Sequence, residues 1–463
     1  MTGSVAIEKI RKEQEKFIAL AKKLWECPET AYNEVNACKW TAELLKEFGF
    51  EVKTGYANLP TCVYGKWGSG HPVIGLLGEL DALPGLSQKV GLEKEPVCEG
   101  APGQGCGHNL LDVACLSAAV GIKAEMEAKN LPGTVIFFGC PAEEVLTGKV
   151  FMAREGAFDE LDAAIAWHGG SLNEVETGNS NGLNSAIFHF KGVTAHAGGD
   201  PFNGRSALDA AELMSVGANY LREHVTSDIR IHYVYKEAGT APNIVPDKAS
   251  VWYYVRGASR KNIEETYARL VKVAEGAAHM TETQVEIEFL GGCYNSLHNL
   301  TMAKLAHDCM EEIGVPSYTE EELKFAEVLN TKSPRYEGLK ASGALDCGPI
   351  ASKVEPFVVD TGVGGGSTDV SDVAHICPTC AINTACWNLA APGHSWQITS
   401  CSGMSIGFKG MLYGGEACAM TALKLMEDPS LLAKAKEEFD AAMKGQPYKC
   451  PIPKEIPIPQ PRV

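Results

Sequence analysis

Several things are scarce in this 463-residue chain, and each scarcity closes a class of function. No continuous apolar stretch reaches the roughly 18 to 20 residues that cross a bilayer, and the opening MTGSVAIEKIRKEQEKF is charged where a secretory leader would be apolar. A cytoplasmic location is the expectation. Basic residues are few: 41 Lys and Arg stand against 58 Asp and Glu, giving a formal net charge of -17 with no basic cluster. Phosphate-rich partners require such clusters, so neither nucleic acid nor an anionic membrane is expected. The triple glycine Gly364 to Gly366 lacks the Gly-Lys-Ser/Thr that completes a phosphate loop, so it is read as a tight turn presenting Ser367, Thr368 and Asp369. A lone C-x-x-C, Cys377 to Cys380, has no second pair to complete a zinc ribbon, and strand-like residues follow it where a redox motif would start a helix. The sixteen cysteines are therefore expected as free thiols.

What is present centres on Gly103 to Asp112, GQGCGHNLLD, which sets the thiol of Cys106 and the imidazole of His108 among glycines. Two residues apart on a helix would face about 200° from each other, whereas looped or extended backbone can aim both one way. The apolar run from Leu110 to Lys129 predicts a following helix, with Asn109 as its N-cap. Alone, the pair reads more readily as a buried cysteine beside a core histidine. The order of the chain weighs against that. PVIGLLGELDALPG reads as a strand ending in Glu79 and Asp81, TVIFFGCP as a buried strand followed by Glu143 and Glu144, and AAIAWH as a third ending in His168. Ligands of open α/β sheets bind beyond the carboxyl ends of strands, and successive strand ends here deliver metal-competent side chains.

The remainder divides by its periodicity. Residues 5–26 predict one opening amphipathic helix, and about 33–48 a second. From about residue 184 to 292 the pattern is β-α-β-β-α-β, the ferredoxin-like arrangement, read as an inserted domain between catalytic segments 1–183 and 293–445. FVVDTGVGGGSTDVSDV and TCAINTACW are read as two further strands, and the proline-rich tail of residues 446–463 as extended over the surface.

Cys106, His108, Glu144, His168 and His394 form a mixed thiolate, imidazole and carboxylate set suited to Zn²⁺ or Mn²⁺. Five donors exceed one structural zinc, so two ions sharing a ligand are expected, and such pairs lower the pKa of water towards about 7. Of the adjacent Glu143 and Glu144, one can hold metal while the other moves a proton. His196, in a glycine-rich loop of the inserted domain, together with Arg205, Asn243 and Arg256, would suit an oxyanion and a substrate carboxylate.

The ordered series GELDALPG, GCGHN, PAEE, WH, KGVTAHAG, PNIVPD and PGHSW resembles the dinuclear-metal amidohydrolases of the aminoacylase, hippurate hydrolase and indole-acetyl-amino-acid hydrolase family, across nearly the whole chain. The resemblance implies a zinc-peptidase-like α/β catalytic domain with a mixed sheet and an inserted lid and dimerisation domain. It implies that Cys106 bridges two metals, that His108, Glu144, His168 and His394 complete their coordination, and that Glu143 is the general base. Asp81 would orient a ligand from behind, His196 would stabilise the oxyanion from a partner's lid, and Asn243 and Arg256 would touch substrate. The implied reaction is hydrolysis of an N-acyl amino acid or dipeptide, with p-aminobenzoyl-glutamate favoured, by a homodimer or a heterodimer with a related A-type chain. One departure from the family is Asn109, where most members carry Asp, which would weaken one metal site or shift which metal is held. Another is Glu79, where distant relatives use a ligating histidine.

Overall fold

The computed structural model describes residues 3–462. Its larger sheet collects β1 (Glu51–Thr54), β2 (Val63–Ser69), β3 (Val73–Glu79), β4 (Gly133–Cys140), β5 (Ala163–Gly170) and β6 (Glu174–Val175). Four more strands, β7 (Gly182–Lys191), β8 (Arg230–Glu237), β9 (Lys248–Gly257) and β10 (Gln284–Cys293), build a second sheet, after which β11 (Thr379–Ala385) returns to the first. The order of the larger sheet is β1-β2-β4-β3-β5-β11-β6. Its centre is parallel, β4 with β3, β3 with β5 and β5 with β11, while β1, β2 and β6 run antiparallel at the margins. Every residue of β3 and β4 is buried, as expected for strands covered on both faces.

Helix His108–Lys129 covers one face of this sheet and packs against helix Ser405–Glu427. The second sheet runs β10-β7-β9-β8, antiparallel throughout, with helices Ala207–Leu221 and Arg260–Met280 on one face over its own apolar core. Ser206 caps the first of these, its hydroxyl accepting from the Asp209 N–H at 3.1 Å.

Four local expectations are corrected. The single opening helix is two, Ser4–Lys12 and Gln14–Glu26, broken at Glu13. Asn109 is not the N-cap: Gly107 is, at a left-handed φ of 78° that glycine adopts without penalty, and the Gln104 side chain accepts the Asn109 N–H at 3.2 Å. The stretch FVVDTGVGGGSTD forms no strand; it runs as a loop, tied at an isolated bridge between Asn179 and Val363, to the short helix Val370–Ala374. The tail is more than a surface strand, because Ile452 is buried and the Tyr448 hydroxyl donates to Asp372 at 2.7 Å. All sixteen cysteines are free, Cys377 and Cys380 among the buried ones.

Candidate dinuclear metal centre

The carboxyl ends of β3, β4 and β5 and the loop before helix His108–Lys129 converge on one place. Asp81, just past β3, does most of the local ordering. Its carboxylate accepts the N–H of Glu143 at 3.1 Å and of Glu144 at 2.9 Å. His108 Nδ1 meets the Asp81 carbonyl at 2.9 Å and its carboxylate at 3.3 Å. Both partners accept, so Nδ1 carries the proton and Nε2 is left with its lone pair for a ligand. Burial pushes the Asp81 carboxyl up, but His108 and the Glu144 N–H outweigh it and the net is below the ordinary value. His168 is set the same way, Nδ1 donating to the Gly169 carbonyl at 2.6 Å while Nε2 lies 3.3 Å from Cys106 Sγ.

The glutamates occupy a tight turn after β4, Glu143–Val145, bracketed by Ala142 and Leu146, each at φ 58°. Two left-handed non-glycine residues around three positions mark backbone held by its surroundings. Glu34, buried at the start of the helix Val35–Glu47, holds the first of them by accepting the Ala142 N–H at 2.9 Å. Gly148 closes the turn, since a Cβ there would sit 1.6 Å from the Pro141 carbonyl oxygen. His394, also left-handed at φ 50°, reaches in from the loop after β11, its Nε2 3.6 Å from Glu144 Oε2.

Three donor triads result, Glu79 with His108 and Glu143, and two built on the thiol, Cys106 with His108 and His168 and Cys106 with Glu144 and His394, the ligand atoms of each within 4.8 Å of one another. The sulfur belongs to the last two. Whether cations fit is answered by the buried atoms without hydrogen-bond partners: His108 Nε2, Glu144 Oε1 and Glu79 Oε2 are all so placed. Buried polar atoms are ordinarily paired, and three orphans aimed at one point fit positive charge there. The thiol agrees. Burial pushes Cys106 up to about 12 despite the His108 ring, so its thiolate requires an adjacent cation.

The comparisons with known proteins agree with this geometry. Residues 179–281 match the peptidase dimerisation domain of M20 enzymes. The chain is 37% identical, over 96% of each sequence, to the B chain of the p-aminobenzoyl-glutamate hydrolase of Escherichia coli K12. The chain belongs to the M20 peptidase family. It is also 28% identical to the Xaa-Arg dipeptidase of Mus musculus, over 95% of this chain and 93% of that one. Among solved structures, a dinuclear metal-binding M20 peptidase from Bacillus subtilis shares the fold, with a TM-score of 0.55 at 18% identity, over 90% of this chain and 99% of that one. An aminobenzoyl-glutamate utilization protein from Klebsiella pneumoniae superposes with a TM-score of 0.62 at 17% identity, over 90% and 97%.

As an M20 enzyme the chain is a metal-dependent amidohydrolase, and its dimerisation domain supports oligomerisation. Among the described residues no helix is long and apolar enough to cross a membrane. A cavity of about 620 Å³ opens onto the M20 centre, lined by Cys106, Glu143, Glu144, His168 and His394 and, from the second sheet, Arg256. His196 and Asn243 do not line it; both are exposed in the inserted domain, where the Ala197 N–H donates to the Asn243 carbonyl at 3.0 Å. Asn109 is withdrawn too. Its amide donates to the carbonyls of Ala21 and Ser402 at 3.1 and 3.0 Å, so the residue ties helices together instead of depleting a metal site.

Sequence reasoning missed what stands behind the candidate ligands. Lys149, wholly buried, donates to Glu79 Oε1 at 2.6 Å and to Asp369 Oδ1 at 2.7 Å. Burial pulls the ammonium down, but Asp369 and Glu79 outweigh it and raise it well above its ordinary value. Glu79 is thereby held by one oxygen, with the other 3.2 Å from His108 Nε2. A lysine one residue past a glycine in a short helix carries no signal of this in its sequence; the pairing exists only in the fold.

Proposed function

We propose that this M20 peptidase hydrolyses the amide bond of N-acyl amino acids, with p-aminobenzoyl-glutamate its favoured substrate, and that Glu143 is the general base. The observation that carries the reading is the Cys106 sulfur shared by two donor triads beside a turn that presents two glutamates differently. Cys106, His108 and His168 would hold one divalent ion, and Cys106, Glu144 and His394 the other, Zn²⁺ or Mn²⁺. Such a pair, when bound, supplies Lewis acidity and a water of lowered pKa.

The chain's own residues do the rest. Burial, reinforced by Glu79 and Asp369, pushes Glu143 well above the ordinary carboxyl range while no metal cation is near; bound cations would offset that, freeing the carboxylate to take a proton from water and hold it through the attack. As the C–N bond breaks, the same carboxyl returns the proton to the departing amino nitrogen. Charge developing on the carbonyl oxygen needs a donor, and His196 is prepared to be one: its Nδ1 accepts from the Gly198 and Gly199 N–H groups at 3.2 and 2.9 Å, so Nε2 carries the hydrogen. Since His196 lies outside its own chain's cavity, the partner subunit's His196 would serve in a homodimer, and the matching histidine of a related A-type chain in a heterodimer. Arg256, on the wall of the same cavity, would meet the substrate carboxylate. The compartment proposed is the cytoplasm, whose reducing conditions suit the free cysteines.

A dipeptidase is the second reading, favoured by the similarity to Xaa-Arg dipeptidases; a partner without activity of its own is disfavoured by the complete donor set. Metal analysis of the purified protein, with a panel of N-acyl amino acids run on wild type and Glu143→Gln, tests the proposal. The expected result is two ions per chain in both proteins, glutamate release by wild type and its loss in the variant. Full activity of Glu143→Gln would remove that residue from its role, and preferred release of other amino acids would favour the dipeptidase.

A further inference from the structure

One glutamate on the cavity wall, Glu176, belongs to none of the donor triads. Glu176 follows β6, its backbone fixed by an N–H donated to the Ala381 carbonyl at 3.0 Å. Its Oε1 accepts from Asn383 Nδ2 at 3.3 Å, and its Oε2 lies 3.5 Å from His298 Nε2. Asn383 is the ladder partner of His168 across β5 and β11, which puts this carboxylate one strand beyond a metal ligand. The Glu176 side chain is 42% exposed, open to the cavity, whereas His298 behind it is 10% exposed. Burial holds His298 below the ordinary imidazole range although Glu176 pulls it up.

The same cavity carries an opposite charge. Arg256 donates through Nη2 to the Ser367 hydroxyl at 2.8 Å and the Gly365 carbonyl at 3.1 Å, while its buried Nε has no partner. The same wall carries hydroxyls, Ser180 and Ser296 at 2.5 Å from each other and Ser371 at 3.4 Å from Ser296. An anionic amino-acid half is attracted to Arg256 and repelled by Glu176. The other half of the substrate then faces a carboxylate, and the group that satisfies one is an N–H donor.

We propose that Glu176, backed by Asn383 and His298, reads an amine on the acyl half of the substrate and makes the enzyme selective for amino-bearing acyl groups over their unsubstituted analogues. The inference rests on the hydrolase reading above and deepens it: an aromatic amine para to the carbonyl, or the amino group of an aminoacyl residue, would each qualify. A site built to bond a substrate N–H discriminates against an analogue lacking it, because the site's own polar group is then left unpaired.

The test is a ratio measured on the full-length, metal-loaded enzyme: kcat/KM for p-aminobenzoyl-glutamate over that for benzoyl-glutamate. A partly inactive preparation lowers both terms equally and leaves the ratio intact. Wild type is expected to favour the amino compound by about tenfold or more. Glu176→Leu, which has no acceptor, should bring the ratio near one, and the milder Glu176→Gln should give an intermediate value. A wild-type ratio near one, or a ratio unmoved in both variants, overturns the assignment. Hydrolysis of neither compound by wild type would overturn the proposed function instead, so the two failures are distinguishable.

Discussion

Lys149→Met withdraws a buried ammonium from two buried carboxylates, Glu79 at 2.6 Å and Asp369 at 2.7 Å. All three side chains are at most 4% exposed, so water cannot replace the lost donor. The methionine fills much of the volume, which isolates the electrostatic effect. Breaking a buried pair by removing one partner costs about 3 to 5 kcal/mol, because the charge left behind keeps its desolvation penalty without its compensation. Against a total stability of about 5 to 15 kcal/mol, that is a large share. Urea unfolding followed by circular dichroism, with the denaturant slope checked for equality, should show the loss directly. The compensated variant Lys149→Met, Glu79→Gln, Asp369→Asn carries no buried charge at these positions and should regain most of it. A single variant that loses less than about 1 kcal/mol, or a compensated one that regains nothing, would refute the reasoning. A second readout is metal content: once released, Glu79 is free to turn further towards His108, and binding should alter in the single variant.

Glu34→Gln replaces an acceptor of N–H groups from Tyr32 and Ala142 and of the Thr61 hydroxyl with an amide that must turn a donor towards one of them. Roughly a 10- to 100-fold fall in kcat is expected, with KM little changed, since the turn carrying Glu143 loosens; steady-state kinetics would check it. Asn109→Asp sets a carboxylate against the Ala21 and Ser402 carbonyls and should cost at least about 2 kcal/mol in denaturant unfolding while metal content stays at the wild-type value. Asp112, buried in the core with Thr41 as donor, is pushed up to about 7 by burial, the Thr41 hydroxyl pulling the other way. Its folded value exceeds the unfolded one of about 3.9, so its contribution is fully present below about pH 4 and declines as pH rises towards 7, by up to about 4 kcal/mol. Stability measured across that window should fall less steeply in Asp112→Asn than in wild type.

The parts of this molecule that were legible in its sequence are those whose meaning is local. Cys106 and His108 two apart among glycines, and the carboxylates and His168 at the ends of apolar runs, needed only strand ends to meet at a sheet edge, and the structure brings them together. The β-α-β-β-α-β order of the second sheet followed from alternating periods of two and 3.6 residues. Misreadings arose where composition imitated an element. FVVDTG has strand-like residues, yet the loop it opens meets the rest at one isolated bridge, Asn179 with Val363, and carries Arg256's partners, Gly365 and Ser367, instead of a ladder. Asn109 has the chemistry of a cap, but its amide is turned towards two other helical segments. Lys149, Glu34 and Glu176 were invisible because each acts through a partner 70 to 220 residues away, or across two strands.

The sulfur common to two of the triads has a consequence for how the protein fails and how it matures. Before metal arrives, burial keeps Cys106 as a neutral thiol, the form slowest to react with oxidants or alkylating agents, so a newly made chain waits in a chemically quiet state. If two ions share that atom as proposed, its oxidation would take a donor from each, and the centre would be dismantled as a unit with no half-loaded intermediate to fall back on.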